Sequence, residues 1–408
     1  MCARHLTLRK MKRHRVKIRL KKTQIPPYKK RNHPPCHTTM FGIGTASVIL
    51  ALTFMGPTVS FIIIAMYIAY VAGIFLTVFK DTMSDKTLAE DLANIKYAFD
   101  TETIIKSSPT QQDVISYYTT SGDREHRLLE MFTGPGMHTC LSAKDPINSS
   151  SGKARQVMYV MNAAVEAHTM TTEVTRVLEI GTGRGYCTFL MASLLPTTDY
   201  EFHGIDIVKR NIEVARKTAA DYTNVHFHLS DATITKSYRP YGSTKQFDLI
   251  FAVESLCHLD TEYAIRAFFT NAFNHLTPEG KIIIIDGFRS ENFTNAPNNQ
   301  QLAMHLAEHS LSIKRMRSMS EFIESAYSQG LQLKRLEDLT TQALPHWLFG
   351  WRFAHAILRH APSWVIRRLR AHSLTAHSTD SLLALATVAH AMRDRGAMVY
   401  GVMVFEKK

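Results

Sequence analysis

The tract Val177-Leu178-Glu179-Ile180-Gly181-Thr182-Gly183-Arg184-Gly185 runs from an apolar strand pattern into a GxGxG turn and then into a helix pattern. Glycines at that spacing let the backbone come close to a ligand, and the helix start beyond them favours a carboxylate or phosphate. A nicotinamide-binding domain needs the same turn and an acid about 20 residues on for the ribose hydroxyls, a position that Asp206 fills. Three further features bear on the choice. Glu179 lies two residues before the first glycine, Asp231 follows a third strand pattern in Leu229-Ser230-Asp231-Ala232, and Leu276-Thr277-Pro278-Glu279-Gly280 leads into the apolar run Lys281 to Ile285. Glu254 and His258, four apart, put an acid and an imidazole beyond a fourth strand pattern, where a pocket edge could use them for proton transfer. An ordinary polar pair on one helical face has the same spacing.

Strand and helix patterns take turns around these residues. Strands are expected at 176–180, 200–205, 225–229, 247–253 and 281–286, with helices near 185–195, 209–221 and 261–274. Such alternation predicts an α/β fold with a mainly parallel sheet covered on both faces and ligands at the carboxyl ends of its strands. Downstream, the patterns predict a helix at 319–329, a strand near 331–336, a long helical insertion at about 340–394 and a last strand at 397–405. Upstream, a polar helix pattern covers 86–98, Asn148 to Gly152 reads as a flexible break, and a helix follows at 154–169.

The set of Glu179, the glycine turn, Asp206, Asp231 and the 276–285 tract resembles the class I methyltransferases that use S-adenosylmethionine (SAM). The resemblance implies a Rossmann-like sheet. It also implies a cofactor site in which the glycine turn (Gly181, Thr182, Gly183, Gly185) holds the methionine part, Asp206 the ribose and Asp231 the adenine amine, with Glu179, Ile207 and Ala232 among the cofactor-binding residues. Phe247 to His258 is similar to the fourth-strand motif of sterol side-chain methyltransferases, with a Glu and a Cys-His pair at the same spacing. Ile115-Ser116-Tyr117-Tyr118 resembles the paired tyrosines of sterol, tocopherol and cyclopropane-lipid methyltransferases, which implies that Tyr117 and Tyr118 close over SAM. This sequence departs from those families at Thr119, where they carry Asp, and at Leu256 and Leu259, where they carry smaller residues. Glu254 and His258 are the implied catalytic pair, and no metal is implied.

Charge is segregated. Residues 1–40 hold 13 Lys/Arg, and the remaining 35 Lys/Arg face 35 Asp/Glu, so the neutral body argues against a nucleic-acid partner. The 5 cysteines are far apart with no CxxC pair, which indicates neither a disulfide framework nor a zinc site. Residues 41–79 carry no charge, and the stretch 58–79 is long enough, at about 33 Å, to span a bilayer core as a helix. The expected organisation is a basic cytosolic tail (1–40), a transmembrane span or hairpin (41–79), a helical cap (80–150) and a methyltransferase domain (151–408) with a helical lid at about 340–394. SAM is cytosolic, so the hairpin would leave the catalytic domain facing the cytosol from the endoplasmic reticulum or another intracellular membrane.

A membrane tract beside such a fold favours a bilayer-dissolved, lipid-like acceptor such as a sterol or prenyl compound. The competing expectations are methyl transfer to a soluble amine or phenol, an NAD(P)-linked lipid oxidoreductase, and a scaffold that keeps the fold without the chemistry.

Overall fold

Seven strands form one sheet in the order β3-β2-β1-β4-β5-β7-β6. They are β1 (Thr175–Ile180), β2 (Tyr200–Asp206), β3 (Val225–Leu229), β4 (Phe247–Val253), β5 (Leu276–Arg289), β6 (Leu331–Asp338) and β7 (Met398–Lys407). The first five run parallel, and β7 inserts antiparallel between β5 and β6. Strand order reverses between β1 and β4, so a crevice opens at their carboxyl ends, where ligands of doubly wound sheets bind. The computed structural model describes residues 81–107, 109–120, 138–141, 149–169, 173–238, 245–361, 363–371 and 376–408, all within the unit Val71–Lys408. The basic tail and the 41–79 tract lie outside the described residues, among which no helix is long and apolar enough to cross a membrane.

Every residue of β1 is buried, as expected of a strand covered on both faces. Val177 joins one core with Phe202, Phe227 and Leu249, under α4 (Ser149–Thr169), α5 (Tyr186–Leu194) and α6 (Lys209–Thr218). Leu178 and Ile180 join the opposite core with Ile250, Phe268 and Phe322, under α7 (Glu262–His275) and α9 (Met319–Ser328). A third core is wholly helical. It joins α1 (Asp85–Ala98) and α2 (Thr101–Lys106) to α8 (Asn298–Ser310) and to the lid helices α10 (Thr340–His360), α11 (Ser363–Ala371) and α12 (Ala376–Met392). Another helix, α3 (Gln111–Thr120), precedes the sheet.

Two expectations change, and one helix falls where no element was expected. Helix α4 starts at Ser149, not after a break ending at Gly152: Gly152 lies inside the helix, where a Cβ would come within 2.8 Å of the Cys140 Cβ. Strand β5 starts at Leu276, because a register shift opposite Phe247 and Leu249 absorbs the Pro278-Glu279-Gly280 bend. Helix α8 carries no clear apolar stripe in sequence, yet it is packed on more than one side, with even Gln300 and Glu308 buried.

At the centre of the helical core, Asp91 of α1 is 1% exposed and binds three lid side chains. Its carboxylate accepts from His355 Nδ1 (2.6 Å), Trp351 Nε1 (2.8 Å) and His390 Nε2 (3.0 Å). Burial alone would raise the Asp91 pKa, but the His355 and His390 hydrogen bonds outweigh it and the pKa falls below the usual carboxylate range. Burial likewise works against a charged His355, but the hydrogen bond and charge of Asp91 win, so its pKa lies above that of an ordinary histidine.

Candidate active site

The glycine turn between β1 and α5 fits its neighbours only without side chains. Gly181 has φ +66°, and a Cβ there would sit 2.3 Å from the Cβ of Ser255, the residue after Glu254, whose Oγ donates to the Ile180 carbonyl at 2.8 Å. Gly185 caps α5 at φ +86°, and its Cβ would strike the Phe227 ring at 2.6 Å. Around Gly183 a Cβ would meet nothing within 4 Å, so the turn opens onto free space at its middle. Beneath it, buried Glu179 Oε2 accepts from Thr182 Oγ1 (2.7 Å) and from the backbone N (3.2 Å) and Oγ1 (2.5 Å) of Thr188. Burial pushes the Glu179 carboxyl up to about 7, since its partners are neutral.

At the end of β2, Asp206 latches the turn: Oδ2 accepts from Gly183 N (2.8 Å) and Oδ1 from Val208 N (2.7 Å). Burial raises its pKa, with these backbone bonds opposing. Half-buried Ile207 follows it. Past β3, Asp231 Oδ1 accepts from Thr233 N and Oγ1 (2.8 and 2.7 Å), and Oδ2 accepts from Gln111 Nε2 (2.9 Å). That last bond draws the start of α3 over the strand ends. Ala232 is half-buried against the second core, and its carbonyl accepts from Asn271 at 3.3 Å. The sheet thus brings Gly181–Gly185, Asp206 and Asp231 to the ends of three neighbouring strands.

Farther along α3, Tyr117 is buried and its ring meets Tyr118 edge-on at 5.0 Å. The Tyr118 hydroxyl lies 3.1 Å from His258 Nε2, on the 3-10 turn Leu256–His258 after β4. Burial pushes the His258 imidazole down to about 4, the Ser312 carbonyl opposing, so the ring is neutral near pH 7. Asp286, in β5 just beyond its pairing with β4, fixes this turn, accepting from Ser255 N (3.1 Å) and Cys257 N (3.0 Å). Burial, reinforced by the charge of Glu254, pushes the Asp286 carboxyl up to about 7.

Glu254 takes partners from other elements and does not pair with His258. Its φ is +49°, in the left-handed region that non-glycine residues avoid, a strain that active sites often carry. Oε1 accepts from Tyr400 OH of β7 (2.6 Å), from Thr139 N (2.7 Å) and from Gln156 Nε2 of α4 (3.1 Å), and Gln156 Nε2 also donates to Tyr400 OH at 2.5 Å. Two imidazoles feel this carboxylate. Burial lowers the pKa of His138 and pushes His346 of α10 down to about 4, in each case with Glu254 opposing and Lys153 adding to the shift. Tyr400, Gln156, Thr139, Asp286 and His346 were not among the sequence candidates. Only Asp286, a lone acid closing the run Ile282 to Ile285, had a local signal.

Residues 171–340 match the family model described as a methyltransferase domain, and no curated protein matches the chain. Among solved structures, a mycolic acid cyclopropane synthase complexed with SAH and CTAB is 13% identical at a TM-score of 0.56, over 74% of this chain and 100% of its own. A cyclopropane synthase from Mycobacterium tuberculosis aligns with the same identity and TM-score, over 74% of this chain and 99% of its own. Geranyl diphosphate C-methyltransferase from Streptomyces coelicolor A3(2), with Mg2+, geranyl-S-thiolodiphosphate and S-adenosyl-L-homocysteine, is 14% identical at a TM-score of 0.51, over 74% of this chain and 99% of its own. At these identities the likeness is one of fold.

Proposed function

With residues 171–340 forming a methyltransferase domain, we propose that this chain transfers the methyl group of SAM to an apolar, lipid-like acceptor of sterol or prenyl type. The observation that carries the reading is Glu254, held by three donors at the end of β4, next to a strand-end row of glycine turn, Asp206 and Asp231 that fits SAM. The open space at Gly183 suits the methionine part, beside Glu179, Gly181, Thr182 and Gly185. Asp206 and Ile207 suit the ribose, Asp231 and Ala232 the adenine, and Tyr117 and Tyr118 the cover. When bound, SAM supplies a sulfonium methyl that needs only an in-line nucleophile at close range.

The residues of the chain do the rest. Helix α3 and the lid exclude water, and the Tyr118–His258 pair presents an aromatic, neutral wall. Glu254 offers a carboxylate in position to stabilise positive charge that develops on an alkene acceptor and to take the proton that the acceptor loses. Thr139, Gln156 and Tyr400 fix its direction. The uncharged tract 41–79 supports membrane anchoring with the catalytic domain on the cytosolic side, where SAM is available.

The test is transfer from methyl-labelled SAM, using the full chain in detergent, into sterols, prenyl quinols, tocopherols and phospholipids, with soluble amines and phenols as a parallel panel. Label is expected in one apolar class and is lost in Asp206→Ala. Label confined to a soluble amine or phenol, or no labelled product despite SAM binding, would refute the lipid assignment.

A further inference from the structure

Between Asp338 and Asp380 the chain has no acidic residue and five arginines, within a body whose 35 Lys/Arg and 35 Asp/Glu balance only when this stretch is included. These residues form α10, α11 and the start of α12. Helix α11 turns Ile366 into the helical core and leaves Trp364, Arg367 and Arg368 on its outer face, at i, i+3 and i+4. Trp364 is 63% exposed. Of the other three arginines of the stretch, Arg359 lies near Asp81, Arg370 lies near Asp380 and over the Phe99 ring, and Arg352 is half-buried on α10. Arg367 and Arg368 have no ion-pair partner among the described residues. On α10, Gly350, Trp351 and Ala354 face inward while Phe349 and Phe353 are exposed, four residues apart.

We propose that the outer faces of α11 and α10 dock on an anionic bilayer surface, with Trp364 at headgroup depth and Arg367 and Arg368 on lipid phosphates. An indole and two phenylalanines left in water beside unpaired guanidiniums match such an interface, which accepts ring and charge together. A nucleic acid would meet the same charge, but the folded body beyond this stretch has no net positive field to hold one. The inference extends the lipid-acceptor reading. Helix α10 packs on β7, the strand of Tyr400 that donates to Glu254, and Phe349 is exposed on the same helix, so a bilayer-dissolved acceptor could reach the site from the docked face.

The experiment uses the full chain on phosphatidylcholine vesicles, with and without phosphatidylserine, and acyl chains brominated near the headgroup as quenchers of tryptophan emission. Neither the 41–79 tract nor the basic tail contains a tryptophan, so membrane binding through them gives no quenching of its own. Quenching is expected on the anionic vesicles, and Trp364→Phe should remove most of it. Arg367→Glu/Arg368→Glu should abolish it with SAM affinity and thermal stability unchanged. Equal quenching in Trp364→Phe and wild type, no loss in the charge-reversed variant, or equal quenching on neutral vesicles would each overturn the proposal. So would single-stranded RNA that shields Trp364 from an aqueous quencher where vesicles do not. None of these readings needs turnover, so a failure to label any lipid and a failure to dock remain distinguishable.

Discussion

Replacing Gly181 with Ala perturbs the cofactor turn at a position where two separate costs can be assigned. The left-handed φ of +66° charges a side chain about 1–2 kcal/mol. The 2.3 Å approach to the Ser255 Cβ forces a shift of tightly packed backbone, about 1–3 kcal/mol by analogy with overpacked cores. Together they come to roughly 2–5 kcal/mol, less about 0.4–1 kcal/mol returned by the stiffer unfolded chain. Ser255→Gly alone should cost about 0.5–1.5 kcal/mol through its lost hydrogen bond to Ile180. In Gly181→Ala/Ser255→Gly the clash is gone and only the φ cost remains, so the two substitutions should couple favourably by about 1–3 kcal/mol. Urea unfolding of the full chain in detergent measures the stability cycle, and calorimetric SAM titration should show affinity falling at least about tenfold in Gly181→Ala, equivalent to about 1.4 kcal/mol. Wild-type stability and affinity in Gly181→Ala, or strict additivity in the double variant, would refute the assignment of Ser255 as the turn's steric limit.

Three further outcomes follow from the buried polar groups. Glu179 has a folded pKa raised to about 7, so its ionised form opposes folding and stability declines as pH rises from about 4.3 towards 7. Glu179→Gln should therefore raise the melting temperature, most clearly above pH 7, while weakening SAM binding. Tyr400→Phe removes one donor to Glu254, a charge-assisted bond of about 1.5–3 kcal/mol, and should lower kcat about 10- to 100-fold with SAM affinity unchanged in calorimetry. The raised pKa of His355 and lowered pKa of Asp91 make their clamp strongest between about pH 4 and 6.5, with the His355 contribution lost as pH rises through its folded pKa. Melting temperature should fall over that rise in wild type and be flatter in His355→Gln. Asp91→Asn, which unbalances the buried cluster, should cost about 3–5 kcal/mol.

The central strands β1, β4, β5 and β7 were legible in the sequence because each contains an apolar run, and burial on both faces makes such runs hard to mistake. Asp206 and Asp231 could be read from local pattern too: Asp206 ends β2 and Asp231 follows the end of β3 by two residues. Helix α8 was not legible, since packing on more than one side erases the apolar stripe by which an amphipathic helix is recognised. The Gly152 break failed for a related reason, because serines and a glycine signal a loop locally and only the contact with Cys140 shows why a helix needs the small residue there.

The surroundings of Glu254 mark where local reading ends. Its donors come from residues 139, 156 and 400, so the nearest in sequence is 98 positions away, and no spacing rule connects them. The family resemblance joins Glu254 and His258 as a candidate catalytic pair, and in the sequence only their spacing of four links the two side chains to each other. In the fold the strand end and the following 3-10 turn send the two side chains to different partners. Glu254 is tied to α4 and β7, and His258 to α3. Under the proposed function, that division separates two duties: a carboxylate fixed from the sheet side, where a proton could be taken, and a neutral imidazole holding Tyr118 on the cover side. A cover that moves with α3 could then open without disturbing the base, because none of the three donors to Glu254 belongs to α3. His258→Ala should accordingly loosen Tyr118 and weaken SAM retention, seen as a faster dissociation rate, while kcat at saturating SAM changes less than in Tyr400→Phe. A larger kcat loss in His258→Ala than in Tyr400→Phe would reverse the two duties.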